Sequence, residues 1–161
     1  MQGTEGALRV PFLVRWPGHI PKGRVSNEIV HLMDLFPTLA QVGGGEIPKD
    51  RVIDGVDQTN FLTGGKDTSN RESFVIYVHN NVYGVKWRNW KMVAGTSGAP
   101  YGNVYNLLGN PKEIQSLVNY GRDRWVFYPT YQILHEHEAS MKHYPPIMPG
   151  TPDPYHAPAY P

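Results

Sequence analysis

From Val10 to Trp16 apolar side chains follow one another almost without a break, with Arg15 the one charged residue among them. A short continuous run of this kind predicts a strand buried on both faces, and Pro11 is tolerable there only because it falls near the start. Pro17-Gly18 then turns the chain, and the alternation from Val25 to Met33 predicts a second short extended segment. A helix follows with legible ends. Asp34 suits its N-cap, Pro37 falls in the first turn where a missing N–H costs little, and Gly43 to Gly45 end it. Leu35, Leu39 and Val42 recur along it at helical spacing. Asp57 is placed to cap one further turn through Phe61 and Leu62, before Gly64-Gly65 breaks the chain.

Beyond this point the period changes to two. The runs Phe74 to Val78, Val82 to Trp87, Trp90 to Ala94 and Val104 to Leu107 are joined by short polar links, notably His79-Asn80-Asn81 and Arg88-Asn89. They predict antiparallel hairpin neighbours and so a small sheet of their own. Asn110-Pro111-Lys112-Glu113 has the residue order of a capping box and predicts a helix ending near Gly121. Val126 to Tyr144 predicts a second helix, with Tyr131, Leu134, Glu138 and Met141 on one face. Seven prolines in the seventeen residues from Pro145 onward preclude regular structure and predict an extended arm.

Composition narrows the function more by exclusion. The 161 residues carry a net charge of +1, which gives no argument for a nucleic-acid or anionic-membrane partner. No apolar stretch approaches the roughly 20 residues that span a bilayer, and Met1-Gln2-Gly3-Thr4 does not read as a signal peptide. There is no cysteine, which removes disulfides, zinc-thiolate sites and thiol catalysis together.

The order of motifs is specific. Glu5-Gly6-Ala7-Leu8-Arg9-Val10-Pro11 is followed by Trp16-Pro17-Gly18, then by Asp34 with Pro37-Thr38, Asp54-Gly55 with Leu62 and Gly64, Trp90-Lys91, and Val104-Tyr105-Asn106-Leu107 running to Pro111 and Glu113. In this order they resemble the C-terminal portion of the arylsulfatases, members of the alkaline-phosphatase-like superfamily, over roughly residues 5 to 121. Ala7 stands where the family has glycine and Asn110 where it has aspartate. The resemblance implies an α+β fold: a small antiparallel sheet with packed helices, plus one or two strands belonging to the large sheet of an alkaline-phosphatase-like α/β domain. Residues 1–65 would close that larger domain, 66–144 would form the small subdomain, and 145–161 the proline-rich tail.

The same resemblance implies an intact enzyme that hydrolyses sulfate esters. In it a hydrated formylglycine attacks sulfur, calcium and basic groups stabilise the charge, and a histidine protonates the leaving group. The family's nucleophile motif, calcium-binding aspartates and catalytic histidine all belong to segments ahead of Met1, so no catalytic or metal position carries onto this chain. The expectation is a scaffold that does not turn over substrate alone and whose partner is the missing N-terminal catalytic portion. Two alternatives stand beside it. A non-enzymatic module would pair with copies of itself through the strand at Val10 to Val14, and a phosphate or phosphonate ester hydrolase would keep the superfamily. Members of the family are often exported, and the chain itself leaves the compartment open.

Four residues are candidates for roles beside the sulfate pocket. Glu5 and Arg9 are spaced for a carboxylate–guanidinium contact at the entry to the first strand, in a segment the resemblance places near bound sulfate. His79 and Asn80 lie at a hairpin tip of the kind that rims a cleft, and an exposed polar turn explains them equally. Other constellations have plainer readings. His135, His137 and Glu138 suggest a metal cluster, but on a helix residues two apart do not share a face, which leaves a solvated surface. Asp54 and Asp57 read as a turn residue and a cap. Lys86 to Lys91 interleaves basic and aromatic groups as single-strand binders do, yet alternation in a hairpin explains this with one set as core and the other as soluble rim.

Overall fold

The computed structural model describes residues 3–50, 52–94, 102–117, 123–145, 150 and 152. Its centre is a four-stranded antiparallel meander, β1 (Ser73–Val78), β2 (Asn81–Trp87), β3 (Trp90–Val93) and β4 (Asn103–Asn106), in that spatial order. Val78 pairs with Asn81 and Trp87 with Trp90, so His79-Asn80 and Arg88-Asn89 form two-residue hairpin loops. Such loops need positive φ, and His79 (φ 56°) and Arg88 (φ 51°) supply it. The outer edge of β4 is closed by the chain itself, with Leu117 N–H donating to Val104 O at 2.8 Å.

A long helix, α4 (Phe127–His143), covers one face of the sheet. Val85, Met92 and Val104 from neighbouring strands are buried there with Val126, and Val75, Trp90, Phe127, Ile133 and Leu134 pack around them. Full burial of side chains of this size stabilises by about 1.5–3 kcal/mol each, enough to fix α4 without help from its own weak propensity. Tyr77 and His137 join the helix to β1 through a hydroxyl–imidazole hydrogen bond. The face opposite α4 carries Lys86 and Lys91, directly paired across β2 and β3. It is not a soluble rim, because Lys91 is fully buried and Lys86 only 13% exposed at its side chain.

The first half of the chain is held by polar side chains more than by ladders. Helix α2 (Leu35–Val42) follows a short 3-10 turn at Leu32–Asp34, with Pro37 in its first turn. It ends on Gly44 at φ 71°, with Gly45 N–H reaching back to Ala40 O at 2.8 Å and Gly44 N–H to Gln41 O at 3.2 Å. This is the left-handed termination that glycine permits without a Cβ penalty. Asp57 Oδ1 accepts from the Thr59 amide at 2.9 Å at the start of α3 (Thr59–Leu62), as expected of a cap.

Several elements differ from the pattern-based expectation. No strand forms from Val10 to Trp16; Val10 and Leu13 are 73% and 92% exposed. A doubly buried strand needs ladder partners on both edges, and among the described residues none pairs with this run. Residues 25–31 are also not a strand. Their anchors are Arg24, whose guanidinium donates to the Phe61 carbonyl, and Glu28, which accepts from the Ser69 amide at 3.0 Å. Asp34 does not cap α2 directly. Its carboxylate accepts from His31 N–H at 2.9 Å while His31 Nδ1 accepts from Met33 N–H, a reciprocal cap of the preceding turn. Asn110 starts only a turn, its Oδ1 taking the Ile114 amide at 3.0 Å, and Glu113 at φ 54° stops helical continuation. The proline-rich tail lies, apart from residues 145, 150 and 152, outside the described residues.

Candidate functional site

Charged side chains far apart in sequence converge on the sheet face opposite α4. Helix α1 (Glu5–Leu8) is a single turn, and its Glu5 carboxylate is buried against Lys86 Nζ at 2.5 Å. Lys91 Nζ donates both to Glu113 Oε1 and to the carbonyl of Gly3. Glu113 Oε1 also accepts the Glu5 amide at 3.2 Å, which closes the ring of contacts. Local geometry explains the arrangement. An irregularity between Ile76 and Tyr77 leaves Tyr83 as an extra residue on β2, and a bulge of this kind re-aims a side chain. The Tyr83 ring consequently lies against Gly3, where a Cβ would stand only 2.2 Å from Cδ1, and lies 5.9 Å from Lys91 Nζ. Burial, then the charge of Glu113, pushes the Tyr83 hydroxyl upward, and Tyr105 is raised by the same causes with Tyr83 added.

Two cations meet two carboxylates here, so the cluster is neutral and has no unpaired positive charge to offer an anion. What it does is position: it ties Gly3 and Glu5 to the sheet through four side chains from three separate segments. Among the described residues, Glu5 Oε2 is the one buried side-chain oxygen or nitrogen without a hydrogen-bond partner.

A second buried network joins the first half of the chain to the sheet. Arg71 Nε donates to both Asp34 oxygens at 2.9 Å, and its other nitrogens reach Asp54 O at 2.6 Å and Ser73 O at 3.2 Å. Asp34 Oδ1 also takes the Val56 amide at 2.9 Å, and Thr38 Oγ1, bonded to Asp34 O, accepts the Gln58 amide at 2.9 Å. Burial alone would raise the Asp34 pKa, but the Arg71 hydrogen bond, the Val56 and His31 amides and the Arg71 charge outweigh it and bring it below the ordinary carboxylate value. Asp54 contributes its carbonyl and Asp57 its cap, so the two do not act as a carboxylate pair.

The structure separates the residues singled out from the sequence. Glu5 is buried with Lys86, whereas Arg9 is exposed and bonded to Asn27 Oδ1, so the expected Glu5–Arg9 contact is replaced by a long-range one. His79 and Asn80 are exposed at the β1–β2 tip. Along β2 that tip lies about 16 Å from Lys86, five residues at roughly 3.3 Å each. His137 faces Tyr77, away from any metal role, while His135 and Glu138 are exposed. Nothing local marks Arg71, and Lys86, Lys91 and Glu113, expected as a soluble rim and a helix start, are instead members of the buried cluster around Glu5. The signal that could have found them is a pair of lysines on one face of a hairpin with acidic residues in the flanking turns.

Calcium, implied for the intact enzyme by the family resemblance, finds no donor set among the described residues. No group of three or more histidines, aspartates or glutamates converges, and the buried carboxylates Asp34 and Glu113 are already bound by Arg71 and Lys91. Among the described residues no helix is long and apolar enough to cross a membrane.

The meander and its buried clusters lie within a known pattern. The family model for N-sulphoglucosamine sulphohydrolase, C-terminal, matches residues 3–140. The chain belongs to this sulfatase family. It is 44% identical over 87 residues to arylsulfatase D of Homo sapiens, an overlap covering 54% of this chain and 15% of that protein. Steryl-sulfatase of Mus musculus is 45% identical over 89 residues, covering 55% of this chain and 14% of the relative. The sulfatase match therefore spans about one seventh of the length of these curated relatives. Among solved structures, the PsFucS1 sulfatase from Pseudoalteromonas sp. superposes with a TM-score of 0.70 at 26% identity, over 81% of this chain and 29% of that one. The small four-stranded sheet with its helices is thus the C-terminal architecture of sulfatases.

Proposed function

We propose that these residues act as the C-terminal scaffold of a sulfuric ester hydrolase and do not turn over substrate alone. The observation that carries this reading is the family match through residues 3–140, which takes in Glu5, Lys86, Lys91 and Glu113 together. The cluster makes physical sense as a clamp. It locks the Gly3–Glu5 segment, and with it any chain leading into Gly3, onto a rigid sheet, and groups that contact a substrate need neighbours held in this way. Glu5 is assigned this positioning role, and His79 and Asn80 a place on the rim of the cleft. Nucleophile, calcium ligands and acid would come from the remainder of the enzyme. The apolar side chains exposed at Val10, Phe12 and Leu13, and at Phe36 and Leu39 of α2, would lie against that remainder.

Complementation tests this. An arylsulfatase shortened by its own C-terminal segment is co-expressed with the chain and assayed on an aryl sulfate. Activity is expected from the pair and from neither piece separately. Turnover by the chain alone at catalytic concentration, above the buffer rate, overturns the reading, as does a pair that co-purifies and stays inactive.

A further inference from the structure

We propose that Trp87, Trp90 and Trp125 form a surface subsite for a sulfated glycan. Three of the four tryptophans in the chain meet at one end of the sheet. Trp87 and Trp90 are cross-strand partners flanking the Arg88-Asn89 loop. Trp125, from the 3-10 turn at Arg124–Val126, stands nearly perpendicular to both, with centroids 5.9 and 5.5 Å away and interplanar angles of 79° and 77°. The result is an aromatic corner, and it is open: Trp125 is 53% exposed while its neighbour Val126, at 0%, does the packing into the core. The edge-to-face contacts cover only part of the Trp125 indole and leave the rest open to solvent.

The surroundings select the ligand. The guanidinium of Arg88 sits 5.2 Å from the Trp87 ring centroid and is held by Glu72 at 3.0 and 3.2 Å, in a pair whose side chains are both more than half exposed. Exposed pairs of this type are weak, so little is lost when the guanidinium turns to an anion on a ligand. Arg124, also exposed, adjoins Trp125. Indole faces are electron-rich and attract the polarised C–H groups on one side of a sugar ring, and a guanidinium binds a sulfate through two parallel charge-assisted bonds. A ring stacked in the corner with its sulfate on Arg88 uses both features. The choice of a sulfated sugar rests on the sulfatase reading above, whereas the corner itself does not.

The test is tryptophan emission of the chain titrated with a heparin-derived hexasaccharide and with its desulfated counterpart. Saturable quenching by the sulfated sugar is expected, with Trp125→Ala weakening it at least tenfold and Arg88→Gln severalfold. The desulfated sugar should bind at least tenfold more weakly. If Trp125→Ala lowers the melting temperature, Arg88→Gln decides, since that side chain is exposed and packs in no core. The proposal is overturned by an absence of saturable quenching, by binding indifferent to these substitutions, or by equal binding of the desulfated sugar. Each of those results leaves the complementation assay untouched, so the subsite and the scaffold role fail separately.

Discussion

Lys91 and Glu113 meet at 2.5 Å with the lysine side chain wholly excluded from water and the glutamate only 6% exposed. Taking both charges out of water costs several kcal/mol per ion, and the geometry offsets this only while each keeps its partner. Lys91→Met strands a buried carboxylate and removes the donor to Gly3 O. Glu113→Leu strands a buried ammonium. Each is expected to cost about 3–5 kcal/mol, which for a domain of this size lowers the melting temperature by roughly 10 °C. The double variant should be less destabilised than the sum of the two. Thermal denaturation of all four proteins checks this, and strict additivity would dismiss the coupling.

Asp34 should dominate the acid limb of the stability curve. Its pKa lies below the ordinary 3.8 in the folded chain, chiefly through Arg71 acting against burial. The folded state therefore binds that proton less readily than the unfolded state. Its contribution is complete above the ordinary value and is lost as pH falls through the lower folded one. Asp34→Asn is expected to destabilise by about 3–5 kcal/mol at neutral pH and to flatten stability below about pH 4. Urea unfolding at several acid pH values measures the slope. An unchanged slope in the variant would count against the assignment.

His31 sets a second, milder dependence at higher pH. Burial and then the Arg71 charge lower its pKa from 6.5, and the opposing pull of Asp34 is too small to reverse them. The neutral ring is also the form whose Nδ1 accepts from Met33 N–H. Its share of stability is accordingly full above about 6.5 and falls as the ring is forced to protonate. His31→Asn keeps an acceptor for the turn and removes the proton site. The stability difference between pH 7.5 and pH 5 should shrink in this variant, and a difference equal to that of the unaltered chain would rule the idea out.

What the sequence disclosed follows the range of the forces involved. The four strands and α4 were legible to within about two residues, because period-two alternation and short polar links act between neighbours. The run from Val10 to Trp16 predicts a buried strand, and its apolar character is real, but strand formation depends on ladder partners, and none pairs with it among the described residues. Asn110 to Glu113 carried a capping-box order. Its glutamate is instead drawn to Lys91 and the Glu5 amide, contacts 22 and 108 residues away. The same blindness hid the buried lysines. Alternation correctly placed Lys86 and Lys91 opposite the tryptophans, yet no local pattern could reveal that the N-terminal segment covers them.

The Tyr77–His137 contact joins the C-terminal half of α4 to the sheet. Tyr77 lies on β1, an edge strand, and its hydroxyl bonds His137 Nε2 and lies 3.1 Å from Met141 Sδ, two α4 side chains one turn apart. The rings also meet edge to face, 5.6 Å between centroids at 69°. Burial, with a smaller effect from Asp54, raises the Tyr77 pKa, so the hydroxyl keeps its proton at neutral pH. Tyr77→Phe retains the ring contact and deletes only the hydroxyl. Net loss of one such hydrogen bond costs about 0.5–1.5 kcal/mol. Because the core residues Phe127, Ile133 and Leu134 hold the first half of α4, the loss should be local. Amide exchange is expected to quicken from about His135 onward while the first two turns keep their protection. Uniform quickening along α4 would mean that the helix docks as one unit and that Tyr77 does not hold its C-terminal half separately.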